Sequence, residues 1–141
     1  MDEIIGKVKS RFDGVKIKEN SPKRIYIEIN RERAKELAEY FFKDEGMRFS
    51  IATGIDTRKG FEILYHFSLD STGVVYSIRV HIPKDDPKID SFANFLPATE
   101  WIEREMHELL GIQFEGHPNL KPLLTDADFQ WDNKHPLKKY K

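Results

Sequence analysis

The chain has 141 residues, with 23 basic and 24 acidic side chains giving a formal net charge of −1, and it has no cysteine. The charge balance gives no electrostatic drive toward nucleic acid or an anionic membrane surface, and the missing cysteines exclude disulfides, thiolate zinc sites, Cys-ligated iron–sulfur clusters and a Cys nucleophile. A length of 141 residues and an apolar content of 39% suit one domain with one core, while no run of about 18 apolar residues could span a membrane.

Ile4, Ile5, Val8 and Phe12 recur at helical spacing and predict a short N-terminal helix. Gly14 and Ser21-Pro22 interrupt the chain, and the alternation Ile25, Ile27, Ile29 predicts a first strand. Asn30 then caps a helix whose stripe is Ala34, Leu37, Ala38, Phe41 and Phe42, with Gly46 as its stop. Three more strands follow, with Met47, Phe49, Ile51 and Ile55 on one face of the first of them. Phe61, Ile63, Tyr65, Phe67 and Leu69 define the next, and Val74, Tyr76, Ile78, Val80 and Ile82 the last, with hairpin turns at Lys59-Gly60 and Ser71-Thr72-Gly73. The helical crossover predicts that the first strand runs parallel to another in the same sheet. Residues 83–90 read as a loop, Pro97 suits the first turn of a C-terminal helix with stripe Ile102, Met106, Leu109 and Leu110, and Gly111 ends it. The expected fold is α+β: a mixed or largely antiparallel four-stranded sheet covered on one face by helices. Residues 1–111 are expected to form this domain. Residues 112–141, with three prolines and no periodicity, are expected to form an extended tail that docks on a partner.

The five histidines make no His-x-x-x-His pair; His66 and His81 fall on the polar faces of neighbouring strands, where they could approach each other, and read as solvated sheet histidines. Glu100, Glu103, Glu105 and Glu108 crowd one helix, where Arg104 stands four residues from both Glu100 and Glu108, so a solvated, ion-paired face is expected rather than acid–base catalysis. Walker A, Gly-x-Gly-x-x-Gly and Gly-x-Ser-x-Gly motifs are absent.

The segment Glu103-Arg-Glu-Met-His-Glu-Leu-Leu-Gly-Ile-Gln-Phe-Glu-Gly-His-Pro-Asn-Leu120 is a charged helix, a Gly stop, a short alternation and a Gly-His-Pro turn. It resembles the signature of the 30-kDa subunit family of complex I, which also occurs in small subunits of membrane-bound, energy-converting [NiFe] hydrogenases. Glu103, Arg104, Glu105, Glu108, Gly111, Ile112, Phe114, Gly116, His117, Pro118, Asn119 and Leu120 match it in register. Complex I members commonly carry Asp and an aromatic where this chain has Glu108 and Leu110, and Arg at Lys121-Pro122. In those positions the chain is more similar to the hydrogenase-type branch.

The resemblance implies a non-catalytic structural subunit without catalytic, cofactor-binding or metal-binding residues of its own. Its expected partners are the large [NiFe]-hydrogenase-like or complex I-like subunit and the adjacent iron–sulfur small subunit, which would hold the [NiFe] site and the clusters. The implied location is cytoplasmic, on the inner face of the membrane through the complex; the N-terminus lacks the basic and long apolar segments of a signal peptide. Glu103, Arg104, Glu105, Glu108, Phe114, Gly116, His117, Pro118, Asn119, Leu120, Leu123, Phe129 and Trp131 are the expected interface. Complex I proper, a stand-alone carboxylate/His enzyme and a generic adaptor are the competing readings.

Overall fold

A computed structural model describes residues 3–120; Leu123, Phe129 and Trp131 lie outside them. In chain order the elements are α1 (Glu3–Arg11), β1 (Lys16–Ser21), β2 (Arg24–Glu28), α2 (Arg31–Glu39), β3 (Arg48–Thr57), β4 (Gly60–Leu69), β5 (Val74–Ile82), β6 (Lys88–Asp90), α3 (Thr99–Leu110) and β7 (Gln113–Glu115). Five strands form one mixed sheet in the order β1-β2-β5-β4-β3. β2 and β5 pair in parallel, as the crossover through α2 predicts, and every other neighbour pair in that sheet is antiparallel.

The core lies on one sheet face. Ile25 and Ile27 of β2, Ile63, Tyr65 and Phe67 of β4, and Tyr76, Ile78 and Val80 of β5 are all buried beneath Val8 of α1 and Leu37 and Ala38 of α2. Phe41 ties the layers together, with its ring 5.7 Å from both Phe67 and Tyr76. Each of the larger of these side chains contributes roughly 1.5–3 kcal/mol on burial, so the helix-on-sheet stack is the main source of stability. Asn30 caps α2, its side chain accepting from the Arg33 N–H at 3.0 Å.

Four expectations change. The sheet has a fifth strand: in β1, Lys16, Lys18, Glu19 and Asn20 hide the apolar period, and only Ile17 follows the core side opposite Ile27. The apolar stripe of α2 does not run straight through Phe42. A π-turn at Tyr40–Asp44 inserts an extra residue per turn, which turns Tyr40 and Phe41 inward and leaves Phe42 exposed. In β3 a register shift between Phe49 and Ile51 flips every later residue to the other face. Ala52, opposite Tyr65, therefore faces the core, and Ile51 and Ile55 are 52% and 41% exposed. Finally, residues 112–115 belong to the folded body: β7 pairs in parallel with β6, a strand at the end of the expected 83–90 loop, and Ile112 and Phe114 are buried. No helix among the described residues is long and apolar enough to cross a membrane.

α3 reaches β3 because Gly54 has no side chain. A Cβ there would stand 2.9 Å from Leu110 Cδ1 and 3.0 Å from Met106 Sδ. Gly111, at φ 86°, ends α3 in a left-handed cap, its N–H donating to the His107 carbonyl.

Candidate functional site

The junction between α3 and the chain exit at Leu120 is built around a sealed carboxylate. Helical spacing puts Thr99, Glu103, Met106 and Leu110 on the inner side of α3, and Glu103 is fully buried there. Its Oε1 accepts from the Ser91 hydroxyl at 2.6 Å and its Oε2 from the Phe92 N–H at 2.8 Å. Ser91 Oγ accepts in turn from the Ala93 N–H at 3.0 Å, and the Ser91 N–H donates to the Glu115 carbonyl at 2.8 Å. One carboxylate thus fastens the turn after β6 to α3, and β7 is fastened to the same turn.

Burial pushes the Glu103 carboxyl up to about 7, against the opposing pull of the Phe92 and Ser91 hydrogen bonds. Tyr65 faces this charge from β4. Its hydroxyl is buried with no hydrogen-bond partner among the described residues, and its pKa is driven upward by burial first and by Glu103 second. The ring stacks on Phe92 at 4.3 Å. A buried hydroxyl without a partner costs on the order of 1–3 kcal/mol. Tyr65→Phe is therefore expected to raise stability by about 1 kcal/mol in chemical denaturation, and a loss of stability would show that the hydroxyl is bound.

His117 clasps the exit. Its Nε2–H donates to the Glu100 carbonyl at 3.0 Å, and its Nδ1 accepts from the Asn119 N–H at 2.9 Å. Those roles define a neutral imidazole with its proton on Nε2. The 3.8 Å separation between His117 Nε2 and Glu103 Oε1 is thus close approach rather than an ion pair. Gly116, at φ 81°, makes the turn, and Asn94 Nδ2 donates to its carbonyl at 3.1 Å. His107 Nδ1 donates to the Ile112 carbonyl at 2.9 Å, which pins the step from α3 to β7. The segment from α3 to Asn119 is thus folded onto the body of the domain.

A model of the family described as "Respiratory-chain NADH dehydrogenase, 30 Kd subunit" matches residues 27–141. The chain belongs to that family. Among relatives of this 30-kDa family chain, a subunit of the F(420)H(2) dehydrogenase of Methanosarcina mazei is 34% identical to it over 126 residues, covering 84% of this chain and 76% of the other. The "Membrane-bound hydrogenase subunit beta" of Pyrococcus furiosus is 30% identical over 143 residues, covering 96% and 82%. Among solved structures the chain is similar to "Nqo5 of the trypsin-resistant fragment (1-134)", with a TM-score of 0.72 and 25% identity, covering 84% of this chain and 97% of that one. A chain of a membrane-bound sulfane sulfur reductase gives a TM-score of 0.75 at 17% identity, a likeness of fold, covering 95% and 78%.

Of the family signature, Glu103 and Phe114 point inside the subunit and shape the junction from beneath. Glu108 is also buried, so the solvated carboxylate face expected on α3 is wrong for Glu103 and Glu108; Glu105 is exposed and Glu100 partly so. Arg104 lays its guanidinium 5.2 Å from the centroid of the Trp101 ring. Pro118 and Asn119 are exposed, while His117 and Leu120 are partly covered. Neither Ser91 nor Tyr65 stands in a motif that points to Glu103; only the fold brings them to it.

His66 and His81 do not approach each other: His66 pairs in register with Ser77, four residues from His81, and hydrogen-bonds its Oγ at 2.7 Å. No cluster of three metal-ligating side chains occurs among the described residues.

Proposed function

We propose that this 30-kDa family chain is a cofactor-free structural subunit of a membrane-bound respiratory oxidoreductase. It binds the large [NiFe]-hydrogenase-like or complex I-like subunit next to the iron–sulfur small subunit, on the inner face of the membrane. The observation that carries this reading is the sealed junction. Glu103 and His117 spend their hydrogen bonds on neighbouring segments of this subunit, and they fix the course of the chain up to Leu120. Leu120, Leu123, Phe129 and Trp131 then supply apolar anchors for the large subunit, while Arg104, Glu105, Pro118 and Asn119 lie at the margin of that contact.

The relative named for a trypsin-resistant fragment supports the division into a folded body and a docking tail, since this chain overlays almost all of that fragment. The hydrogenase-type branch is favoured within the family by Leu110 and by Asn119-Leu120-Lys121-Pro122. A stand-alone carboxylate/His enzyme is disfavoured, because Glu103 is sealed from substrate and the groove beside Glu105 is lined by neither Glu108 nor His117. The test is co-expression with the large and small subunits encoded beside it. Recovery in equal amounts with both, with iron in the complex and none in the isolated chain, is expected. A chain that purifies alone, or with metal of its own, contradicts the reading.

A further inference from the structure

The two edges of the main sheet are built differently. The β1 edge carries Lys16, Lys18 and Glu19, charges that keep another strand from pairing there. At the opposite edge, β3 runs ten residues and has no charged side chain between Arg48 and Asp56. Alternate residues of β3 turn their N–H and C=O groups away from β4, its one strand partner among the described residues. Ile51 and Ile55 stand exposed on this strand. A groove of about 490 Å³ follows the edge, walled by β3 from Ile51 to Asp56 and by Ile102, Met106, Leu109 and Leu110 of α3, with Glu105 on its rim. Gly54 brings the two walls together. A long, uncharged, apolar edge left open to water is a liability in a free protein. Its backbone, unpaired among the described residues, specifies what covers it: another extended backbone, with side chains for the groove.

We propose that the free edge of β3 and the adjoining α3 groove form a strand-addition site for a partner subunit. The occupant is an extended segment with apolar side chains at alternate positions and a basic residue to meet Glu105. Backbone hydrogen bonds would give the affinity and the apolar pockets the register. The groove shares α3 with the Glu103–His117 junction, so this surface adjoins the partner contact proposed above. The proposal rests on the assembly reading but uses a different part of the chain.

Hydrogen exchange followed by mass spectrometry, on the full chain alone and in the purified complex, tests it. Peptides covering 50–55 are expected to slow at least tenfold on assembly, while those covering 16–21 are unchanged. Ile51→Lys with Thr53→Lys, which places charges on that edge, is expected to remove the slowing and lower complex yield tenfold without lowering the Tm of the isolated chain. Assembly with residues 50–55 still exchanging as in the free chain overturns the strand-addition site and leaves the subunit reading intact. Failure to assemble overturns the subunit reading itself. Protection already present in the isolated chain also overturns the proposal. If it grows with concentration the occupant is a second copy, and if truncation after Leu120 abolishes it the occupant is the chain's own tail.

Discussion

Glu103→Ala is expected to lower stability by about 3 kcal/mol, seen as a Tm drop of about 10 °C. The change strands the Phe92 N–H and the Ser91 hydroxyl in a buried site and opens space beneath α3. The same residue makes stability depend on pH, and the sign follows from its raised pKa. Its carboxyl titrates near 7 when folded against an ordinary 4.5. Between those values the folded state holds the proton more tightly than the unfolded chain. This contribution to stability is therefore complete below about pH 4.5 and is lost as pH rises toward about 7, by about 3 kcal/mol in all. Tyr65 and His117 are the titratable groups that face it among the described residues. Glu103→Gln is expected to flatten that fall, measured as denaturation midpoints between pH 5 and 7.5. A parallel slope in wild type and Glu103→Gln would mean the carboxyl is not the group responsible.

Phe129→Ala combined with Trp131→Ala is expected to weaken complex formation at least about 100-fold, because buried aromatic anchors carry most of an interface's binding energy. Both residues lie beyond Leu120, past the clasp that His117 makes with α3. The isolated double variant should keep its Tm, since the core described from α1 to β7 is built from residues up to Leu120. A fall in Tm matching the fall in yield would instead place both rings on this subunit's own surface.

Much of the fold was legible in the sequence where one period ran unbroken. β4 and β5 alternate over nine or ten residues with every core side chain apolar, and both match expectation. Legibility failed where a local insertion changed phase. The β3 bulge moved Ile51 and Ile55 to the open face, and the π-turn moved Phe42 outward; neither leaves a mark in composition. β1 was hidden because a charge-guarded edge strand has no reason to alternate cleanly.

The signature itself was visible as a motif, but the work of its residues was not. Glu103 looked like one of four solvated glutamates, and the side chains that make it different, Ser91 and Tyr65, are contributed from 12 and 38 residues away. The tail boundary shifted for the same reason. Ile112 and Phe114 look like the start of a loose segment, yet a three-residue pairing with Lys88–Asp90 buries them.

Because Ile112 and Phe114 are core, removing the chain after Gly111 would test folding rather than docking. Truncation after Leu120 keeps the junction whole. The measurement that bears most directly on the subunit account is the yield of complex from co-expression of the large subunit with the full chain or with residues 1–120. The shortened chain is expected to fold with an unchanged Tm and to be lost from the purified complex. Equal recovery of the two chains with the large subunit would contradict it.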